Sequence, residues 1–267
     1  MLLIHSAQIP AKYISKLKEF MPTLTLLPLA PFDNVYHSIV SHPDIFFFQI
    51  NKNTLVHAPI VAGEFIKKLK NTAIELIPAE KNPAGTYPAT ASINAARVGK
   101  YIFHNTHLTD AAIKREAEKL NLNFVHCNQG YSRCSVIPVK EKALITCDKG
   151  IKKAAQENGI EALSITPGNI ELPGEKHGFI GGASGVLPDG KIFFLGDITK
   201  HPDFEKIRVF LKTHAVDYLS LEGLPLYDVG TLIFLSAQTK GGHTTLAGLD
   251  ILNGSKNPFV MGNFGKG

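Results

Sequence analysis

The sequence predicts a single-domain α/β protein built from five copies of one strand–strand–helix–strand unit. Five segments, at intervals of roughly 50 residues, each pass from a short β-branched or aromatic run through a polar turn into an amphipathic pattern. A further strand-like run precedes each segment, and another follows its helix. The segments begin at Leu2, Thr54, Tyr101, Ala143 and Lys191.

Apolar spacing defines the helix of each unit. In the first unit Tyr13, Leu17 and Phe20 recur three and four residues apart, which places them on one helix face. Asp110 precedes the segment "AAIKREAEKL" and can accept hydrogen bonds from the free N–H groups of its first turn. The segment "VLPDGKIFF" predicts a hairpin, because Pro-Asp-Gly suits the dihedral angles of a tight turn.

The fifth copy is split between the two ends of the chain. Its first strand is predicted at residues 229–235, and its remainder lies within residues 2–30. We expect the two ends to pair in one sheet and close a ring, because pairing removes an exposed sheet edge. The alternative is a pair of doubly wound α/β domains, which strand–helix–strand units also suit. Within one domain, 1–267, the predicted repeats are about 1–30 with 226–267, 31–80, 81–128, 129–168 and 169–225.

Composition narrows the class of protein. Hydrophobic residues make up 44% and charged residues 19%, the balance of an ordinary soluble globular domain. We expect no membrane-spanning helix and no signal peptide. Three cysteines argue against a disulfide framework, so we expect a cytoplasmic protein. The net charge is +5, but the lysines are scattered along helix faces, so we expect no nucleic-acid partner.

In a closed ring the first strand of each unit lines a central channel, so the polar residues of these strands converge. A thiol, an imidazole and two carboxylates would then meet, which are groups that can attack a carbon flanked by nitrogens. The thiolate adds, the imidazole moves protons, and the carboxylates hold a cation. The predicted catalytic residues are Cys134, His42, Asp44 and Asp228.

A second group of residues is predicted to bind the substrate. Arg133 nearby and a position in the channel could together lower the pKa of Cys134, which a reactive thiol requires. The stretch "GFIGGASG" is followed by a hairpin and a strand, so it is not a dinucleotide-binding loop. Its glycines either allow a ligand to approach the backbone or allow tight packing, and both explanations are open. The predicted binding residues are Asn94, Arg133, Gly181, Gly182 and Ser184.

Each of these residues also has a structural explanation. Cys134 could be a small buried hydrophobe, and His42 an extended turn residue before Pro43. Cys127 and Cys147 are expected to be packing residues. A zinc site built from these three cysteines and the histidine of "FVHCNQ" has unsuitable spacing, so we expect neither a metal nor a cofactor.

Five such units in a ring resemble the pentein fold, the β/α-propeller of guanidino-group-modifying enzymes. These enzymes include arginine and agmatine deiminases, dimethylarginine hydrolases and amidinotransferases, and a ribosome anti-association factor uses the same fold without catalysis. The resemblance covers nearly all of the chain, but it rests on architecture and short motifs. Family enzymes carry their nucleophilic Cys near the C-terminus after a His. Here "KGGHTTLAG" has Thr244 after His243, so the usual thiol is missing.

A second alignment restores the thiol. "HPD" lies two units before Cys134 and resembles the family's His-x-Asp motif, while "QGYSRC" is similar to the Gly-rich approach to the nucleophile. "DVG" at 228–230 resembles the family's Glu-Gly-Gly strand, whereas "GFIGGASG" lacks the family's Arg-Asp pair. The resemblance thus implies a bacterial branch that lacks the usual C-terminal Cys. The chain of this branch would start at a different point of the ring.

Two functions follow from the resemblance. One is a Cys-dependent hydrolase, deiminase or amidinotransferase that acts on a small guanidino or amidino compound. The other is a non-catalytic ring that binds a small molecule or a macromolecular partner. The expected substrate or small ligand lies in the central channel, and a homo-oligomer is compatible with either function.

Overall fold

The computed structural model describes residues 1–61, 63–70, 72–236 and 259–262. The predicted α/β class is confirmed, because strands and helices alternate along the chain. Residues His243 and Thr244 and most of the C-terminal tail lie outside the described residues. The strands in chain order are β1 (Leu2–Ser6), β2 (Thr25–Leu29), β3 (Phe47–Asn51), β4 (Thr54–His57), β5 (Glu75–Pro78), β6 (Ala96–Val98), β7 (Tyr101–His104), β8 (Asn123–His126), β9 (Val136–Lys140), β10 (Ala143–Thr146), β11 (Glu161–Ser164), β12 (Ile170–Glu171), β13 (Ser184–Val186), β14 (Ile192–Phe194), β15 (Tyr218–Leu221), β16 (Leu226–Tyr227), β17 (Ile233–Leu235) and β18 (Phe259–Gly262).

The longer helices lie where apolar spacing predicts them. The side chain of Asp110 accepts a hydrogen bond from the N–H of Ala112 at 2.8 Å, as expected of an N-cap. Short 3₁₀ turns occur at His37–Ile39 and Ile198–Lys200. The helices are α1 (Ala11–Phe20), α2 (Pro43–Phe46), α3 (Glu64–Lys70), α4 (Ala111–Lys119), α5 (Ser132–Ser135), α6 (Lys149–Glu157) and α7 (Phe204–Thr213).

Within the described part of the chain, five sheets share one topology. In each sheet the first strand is antiparallel to the second, and a helix connects the second strand to a parallel third. The sheets are β17-β1-β2, β3-β4-β5, β6-β7-β8, β9-β10-β11 and β13-β14-β15, the last of which is extended by β18. The strands β12 and β16 form an additional parallel pair. A doubly wound domain has one mostly parallel sheet, whereas each of these five sheets contains a single parallel pair of helix-connected strands. The doubly wound alternative is therefore wrong for the described residues.

The two ends of the chain meet in the first of these sheets. Strand β17 pairs antiparallel with β1, so that Leu2 lies opposite Leu235 and Ile4 opposite Ile233. The first strands of the sheets also contact one another in sequence, from β3 to β6, β9, β13 and β17. Gln49 of β3 donates a hydrogen bond to the carbonyl of Phe234 in β17 at 3.5 Å, which links the last strand of this series to its first.

The first strands begin later than the sequence predicts. The predicted strands "DIFFFQI" and "CSVIPV" start with the helical turns α2 and α5, and residues 180–183 form a turn before β13. Pro43 starts α2 because its fixed φ suits the first helical position. His42 before it is extended, at φ −71° and ψ 115°, as expected for a residue before proline. As a result, Asp44 and Cys134 lie on turns that lead into the strands.

Candidate functional site

The turns that lead into the five first strands meet at one place, which we call the hub. Backbone hydrogen bonds connect neighbouring turns: the N–H of Arg133 donates to the carbonyl of Asn94 at 3.1 Å, and that of Gly182 to the carbonyl of Cys134 at 3.0 Å. The hub therefore brings together residues that are far apart in sequence. Its members, one from each unit, are Asp44, Asn94, Cys134, Gly182 and Thr231.

The remaining turns are joined in the same way. The N–H of Thr231 donates to the carbonyl of Gly182 at 2.9 Å, and the N–H of Asp44 to the carbonyl of Gly230 at 2.9 Å. Burial raises the pKa of the Asp44 carboxyl group, and the nearby amide of Asn94 opposes that effect in part. These backbone hydrogen bonds hold neighbouring turns of the hub against one another.

The thiol of Cys134 is buried among polar groups of the hub. Its Sγ donates a hydrogen bond to Oδ2 of Asp44 at 3.0 Å and accepts one from Nδ2 of Asn94 at 3.2 Å. The amide oxygen of Asn94 accepts from the backbone N–H groups of Arg133, at 2.8 Å, and Cys134, at 3.3 Å. Asn94 therefore holds the turn that carries the thiol.

Asp44 is buried, and only one of its two carboxyl oxygens has hydrogen-bond partners. Its Oδ2 accepts from the thiol and from Oγ1 of Thr231 at 2.9 Å, whereas its Oδ1 is buried with no hydrogen-bond partner. Only 1% of the residue is exposed, and this burial raises the pKa of the carboxyl group. The cost of this unpartnered oxygen has to be offset by the surrounding structure or by a bound group.

Asp228 is also buried, but both its oxygens are satisfied. Oδ1 accepts from the N–H of Gly230 at 2.9 Å, and Oδ2 from the N–H of Phe179 at 2.8 Å. Burial, and then the nearby charge of Asp44, raise the pKa of Asp228 to about 7. This carboxyl group changes protonation state near neutral pH.

The pKa of Cys134 is raised and not lowered as expected, because burial outweighs the attraction between the thiolate and Arg133. Burial raises the pKa of the thiol well above its usual range, and the charges of Asp44 and Asp228 raise it further. The guanidinium of Arg133 donates to the carbonyls of Val136, at 2.8 Å, and Gly181, at 3.4 Å, so it does not contact the sulfur. The thiol is therefore protonated at neutral pH.

His42 lies beside the hub in a buried position. Burial lowers the pKa of its imidazole to about 3, so the ring is neutral and a weak base. Gly230 packs against it so closely that a Cβ at position 230 would overlap the side chain of His42. Among the described residues, no hydrogen bond joins the imidazole to Cys134.

The glycines of "GFIGGASG" serve close packing. A Cβ on Gly181 would overlap the carbonyl of Arg133, and one on Gly182 would overlap the carboxyl group of Asp228. The hydroxyl of Ser184 donates to the carbonyl of Gly181 at 3.2 Å. The structure therefore favours the packing explanation for these residues, while a role in ligand binding stays a prediction.

Thr231 is a hub residue that the sequence did not single out. Its φ of 71° is left-handed, which costs a β-branched residue about 1–2 kcal/mol. Its Oγ1 lies 2.9 Å from Oδ2 of Asp44 and 3.1 Å from the carbonyl of Gly181. Backbone strain of this kind persists where the surroundings fix the conformation. No sequence signal marks it, because the hydroxyl meets Asp44 only in the folded chain.

A cavity of about 550 Å³ lies between the five first strands. Asp44, Arg133 and Thr231 line it on the hub side, whereas Cys134, His42 and Asp228 are not among its lining residues. Apolar side chains form much of its wall, and the lysines of β9 and of the β3–β4 turn lie on its rim. These wall and rim residues include Phe48, Val139, Leu187, Leu232, Phe234, Lys52 and Lys140.

The Pro/Gly-rich loop at residues 80–90 packs near Cys134. Thr90 hydrogen-bonds the hydroxyl of Tyr131, which also accepts from the hydroxyl of Tyr36 at 3.0 Å. Both tyrosines lie close enough to Cys134 for a thiolate there to raise their pKa. The end of the loop is thus joined to the tyrosines beside the hub.

The remaining histidines and cysteines have structural environments. His5 and His57 each hydrogen-bond the carbonyl of the following residue through Nδ1, at 2.8 and 3.0 Å, and His104 bonds the hydroxyl of Thr109 at 2.7 Å. Cys127 is buried, and Cys147 is half-buried. The described residues hold no group of three or more His, Cys, Asp or Glu side chains arranged for a metal. No helix among them is long and apolar enough to cross a bilayer.

Three solved structures resemble the chain. DDAH from Pseudomonas aeruginosa, in a complex with citrulline, is 12% identical, with 62% of this chain and 76% of that chain covered and a TM-score of 0.39. Agmatine deiminase of C. jejuni is 11% identical, with coverages of 79% and 83% and a TM-score of 0.47. SxtG, an amidinotransferase of the saxitoxin biosynthetic pathway from Microseira wollei, is 12% identical, with coverages of 90% and 84% and a TM-score of 0.50.

These likenesses concern the fold. All three proteins have the pentein fold, and the likeness to the amidinotransferase extends over nine-tenths of this chain. At such low identity it supports a related α/β fold and does not transfer an activity. None of the curated proteins matches the chain. A family model matches residues 4–233, and the chain therefore belongs to that family, which is described as a family of unknown function (DUF6873).

Proposed function

We propose that the chain is a five-bladed β/α-propeller that binds a small molecule in the cavity between its first strands. The observation that carries this proposal is the cavity of about 550 Å³, because all five sheets contribute to its wall. A cavity of this size suits a small organic ligand, and an apolar wall with a few polar groups is typical of such sites. The pairing of β17 with β1 supports closure of the ring.

The unpartnered oxygen of Asp44 supports a ligand at the hub end of the cavity. A buried polar atom without a partner costs about 1–3 kcal/mol, and a ligand group that hydrogen-bonds it recovers part of that cost. Asp44 also lines the cavity, and because its carboxyl group is buried, a ligand group reaches it only if the hub side of the cavity opens slightly. The ligand would therefore place a polar group beside Asp44 and an apolar body along the strands.

Binding without catalysis agrees best with the state of the thiol. Cys134 is 5% exposed, its pKa is raised, and it does not line the cavity. A nucleophilic Cys needs a lowered pKa and access to the substrate. His42, the predicted base, has a pKa of about 3 and would stay neutral.

A screen of small metabolites by thermal shift tests the proposal. Val186 lines the cavity and is half-buried, so Val186→Trp should fill the cavity and abolish binding of any hit. Val209 is 54% exposed on α7, and Val209→Trp is the matched control that should retain binding. Hits that bind the Val186→Trp protein as tightly as the wild type would contradict the proposal.

A second candidate is Cys-dependent chemistry on a guanidino or amidino cation. It is favoured by the position of the thiol between two buried carboxyl groups, one of which has a pKa of about 7. A bound cation would lower the pKa of all three groups. The thiol proton would then pass to Asp44, 3.0 Å away, and the sulfur would add to the amidino carbon.

The rest of that reaction balances with water alone. The adduct loses ammonia or an amine as its C–N bond breaks, with the proton supplied by a carboxyl group, and water then cleaves the carbon–sulfur bond. Release of ammonia or urea from guanidino and amidino compounds is the assay. Turnover that Cys134→Ser abolishes would establish this candidate, and equal turnover in the variant would exclude it.

A further inference from the structure

Two arginines on the cavity wall are held by backbone carbonyls. Nε of Arg97, in β6, donates to the carbonyl of Gly99 at 2.7 Å, and its Nη1 donates to the carbonyl of Ile50 in β3. Arg133 donates from Nη1 to the carbonyls of Val136, at 2.8 Å, and Gly181, at 3.4 Å. Both side chains are half-buried and line the cavity.

These hydrogen bonds leave donors for a ligand. A guanidinium carries five N–H donors, and these hydrogen bonds use two nitrogens of Arg97 and one of Arg133. Within the described part of the chain, neither arginine forms an ion pair with a carboxylate. Glu141 acts on Arg97, and Asp44 on Arg133, only through longer-range attraction.

The charged residues of the cavity are mostly basic. Lys52 and Lys140 accompany the two arginines, whereas Asp44 and Glu141 are the acidic residues of the lining. The pKa of Asp44 is raised by burial, so the balance shifts further toward positive charge as the pH falls. An anion would meet a positive potential and an apolar wall, which together suit an organic acid better than an inorganic ion.

The fixed arginines favour binding for an entropic reason. Their side chains have already lost rotamer freedom in forming hydrogen bonds with the backbone, so little more is lost when a ligand binds. Their planar donor groups also match the geometry of a carboxylate.

We propose that the cavity binds an organic acid with an apolar body, and that Arg97 and Arg133 hold its carboxylate or an equivalent anionic group. This inference rests on the proposed binding function and adds the class of ligand. It differs from the guanidino or amidino cation that the sequence resemblance implies, because the free donors of the cavity call for an anion.

Three probes with one apolar body test the class of ligand by calorimetric titration. They are 4-phenylbutyrate, its amide and the corresponding amine, which carry a negative, a neutral and a positive head group. We expect the carboxylate to bind at least tenfold more tightly than the other two, and its affinity to fall as salt is raised. Tighter binding of the amine, or no binding of 4-phenylbutyrate, would overturn the inference.

Substitution of Arg97 identifies the group that binds the anion. Arg97→Gln should weaken 4-phenylbutyrate by about tenfold or more. Arg115→Gln is the matched control and should have no effect, because Arg115 is exposed and pairs with Glu80 away from the cavity. If Arg97→Gln fails to fold, Arg97→Lys keeps the charge without the planar fork, and an affinity equal to wild type would then contradict the inference.

Failure of the anion inference and failure of the proposed function give different results. If the amine or amide binds and Val186→Trp abolishes that binding, the cavity is a ligand site but not an anion site. If the metabolite screen yields no ligand whose binding depends on Val186, the proposed function itself fails.

Discussion

The hub and the cavity share the carboxyl group of Asp44 but differ in how their polar groups are satisfied. At the hub, the thiol of Cys134 and the amide of Asn94 have partners within the protein, as do both oxygens of the adjacent Asp228. On the cavity side, Oδ1 of Asp44 has no hydrogen-bond partner, and Arg97 and Arg133 each keep N–H donors that make no hydrogen bond among the described residues. Internally satisfied groups stabilise the fold, whereas unsatisfied groups indicate where a ligand fits.

The perturbed pKa values near the hub have a structural cause. Such values cluster at functional sites, but buried structural networks produce them as well. At the hub they arise mainly from burial, and the groups concerned lie away from the cavity wall, except for Asp44. A raised pKa here therefore says more about packing than about catalysis.

The largest expected effect is the dependence of stability on pH. The pKa of Asp228 rises from 3.8 to about 7 on folding, so its contribution to the free energy of unfolding is fully present below pH 4 and is lost as the pH rises through 7. The loss amounts to about 4 kcal/mol at 1.36 kcal/mol per pKa unit. Urea denaturation of Asp228→Asn between pH 4 and 8 should show a flatter profile than the wild type.

Asp189→Asn serves as the control for this experiment. Asp189 is exposed in a hairpin turn, where Lys191 lowers its pKa, so its substitution should leave the profile between pH 4 and 8 unchanged. Identical profiles for wild type and Asp228→Asn would mean that Asp228 is not buried at a raised pKa.

The next effect concerns close packing at the hub. Gly182→Ala should lower the free energy of unfolding by about 3 kcal/mol, because its Cβ would overlap the carboxyl group of Asp228. Gly159→Ala is the comparison: its φ is 67° and nothing lies near its Cβ, so it should cost only about 1 kcal/mol of backbone strain. Equal losses in urea denaturation would show that the hub is not tightly packed.

A smaller effect is expected in the rate at which the thiol of Cys134 is alkylated. With iodoacetamide at pH 8 and native conditions, we expect Cys134 to be alkylated at least about tenfold more slowly than Cys147, which is half-buried. Peptide mass spectrometry measures both rates in one sample. Fast alkylation of Cys134 near neutral pH would instead favour the catalytic candidate.

The repeated unit and the joining of the chain ends could be predicted from local signals. Apolar spacing locates α1, and the PDG turn in "VLPDGKIFF" locates the β13–β14 hairpin, since both features act within a few residues. The split unit was visible because a first strand without its helix remained at the C-terminus. Its pairing as β17 with β1 follows from the hydrophobic pattern of both segments.

The chemistry of the site could not be predicted in the same way. Sequence reasoning selected residues that do meet, namely Cys134, Asp44 and Asn94, but predicted the wrong direction for the pKa of the thiol. That direction depends on burial and on which neighbour is closest, and both are tertiary properties. Thr231 and Arg97 were missed for the same reason, because their partners lie in other units.

Ligand binding by two variants tests the central claim most directly. Cys134→Ala removes the thiol but leaves the cavity wall intact, whereas Val186→Trp fills the cavity and leaves the thiol in place. If the ligand lies in the cavity, calorimetric titration with 4-phenylbutyrate, or with a hit from the metabolite screen, should give wild-type affinity for Cys134→Ala and no binding for Val186→Trp. Loss of binding in Cys134→Ala, with full binding in Val186→Trp, would contradict the account.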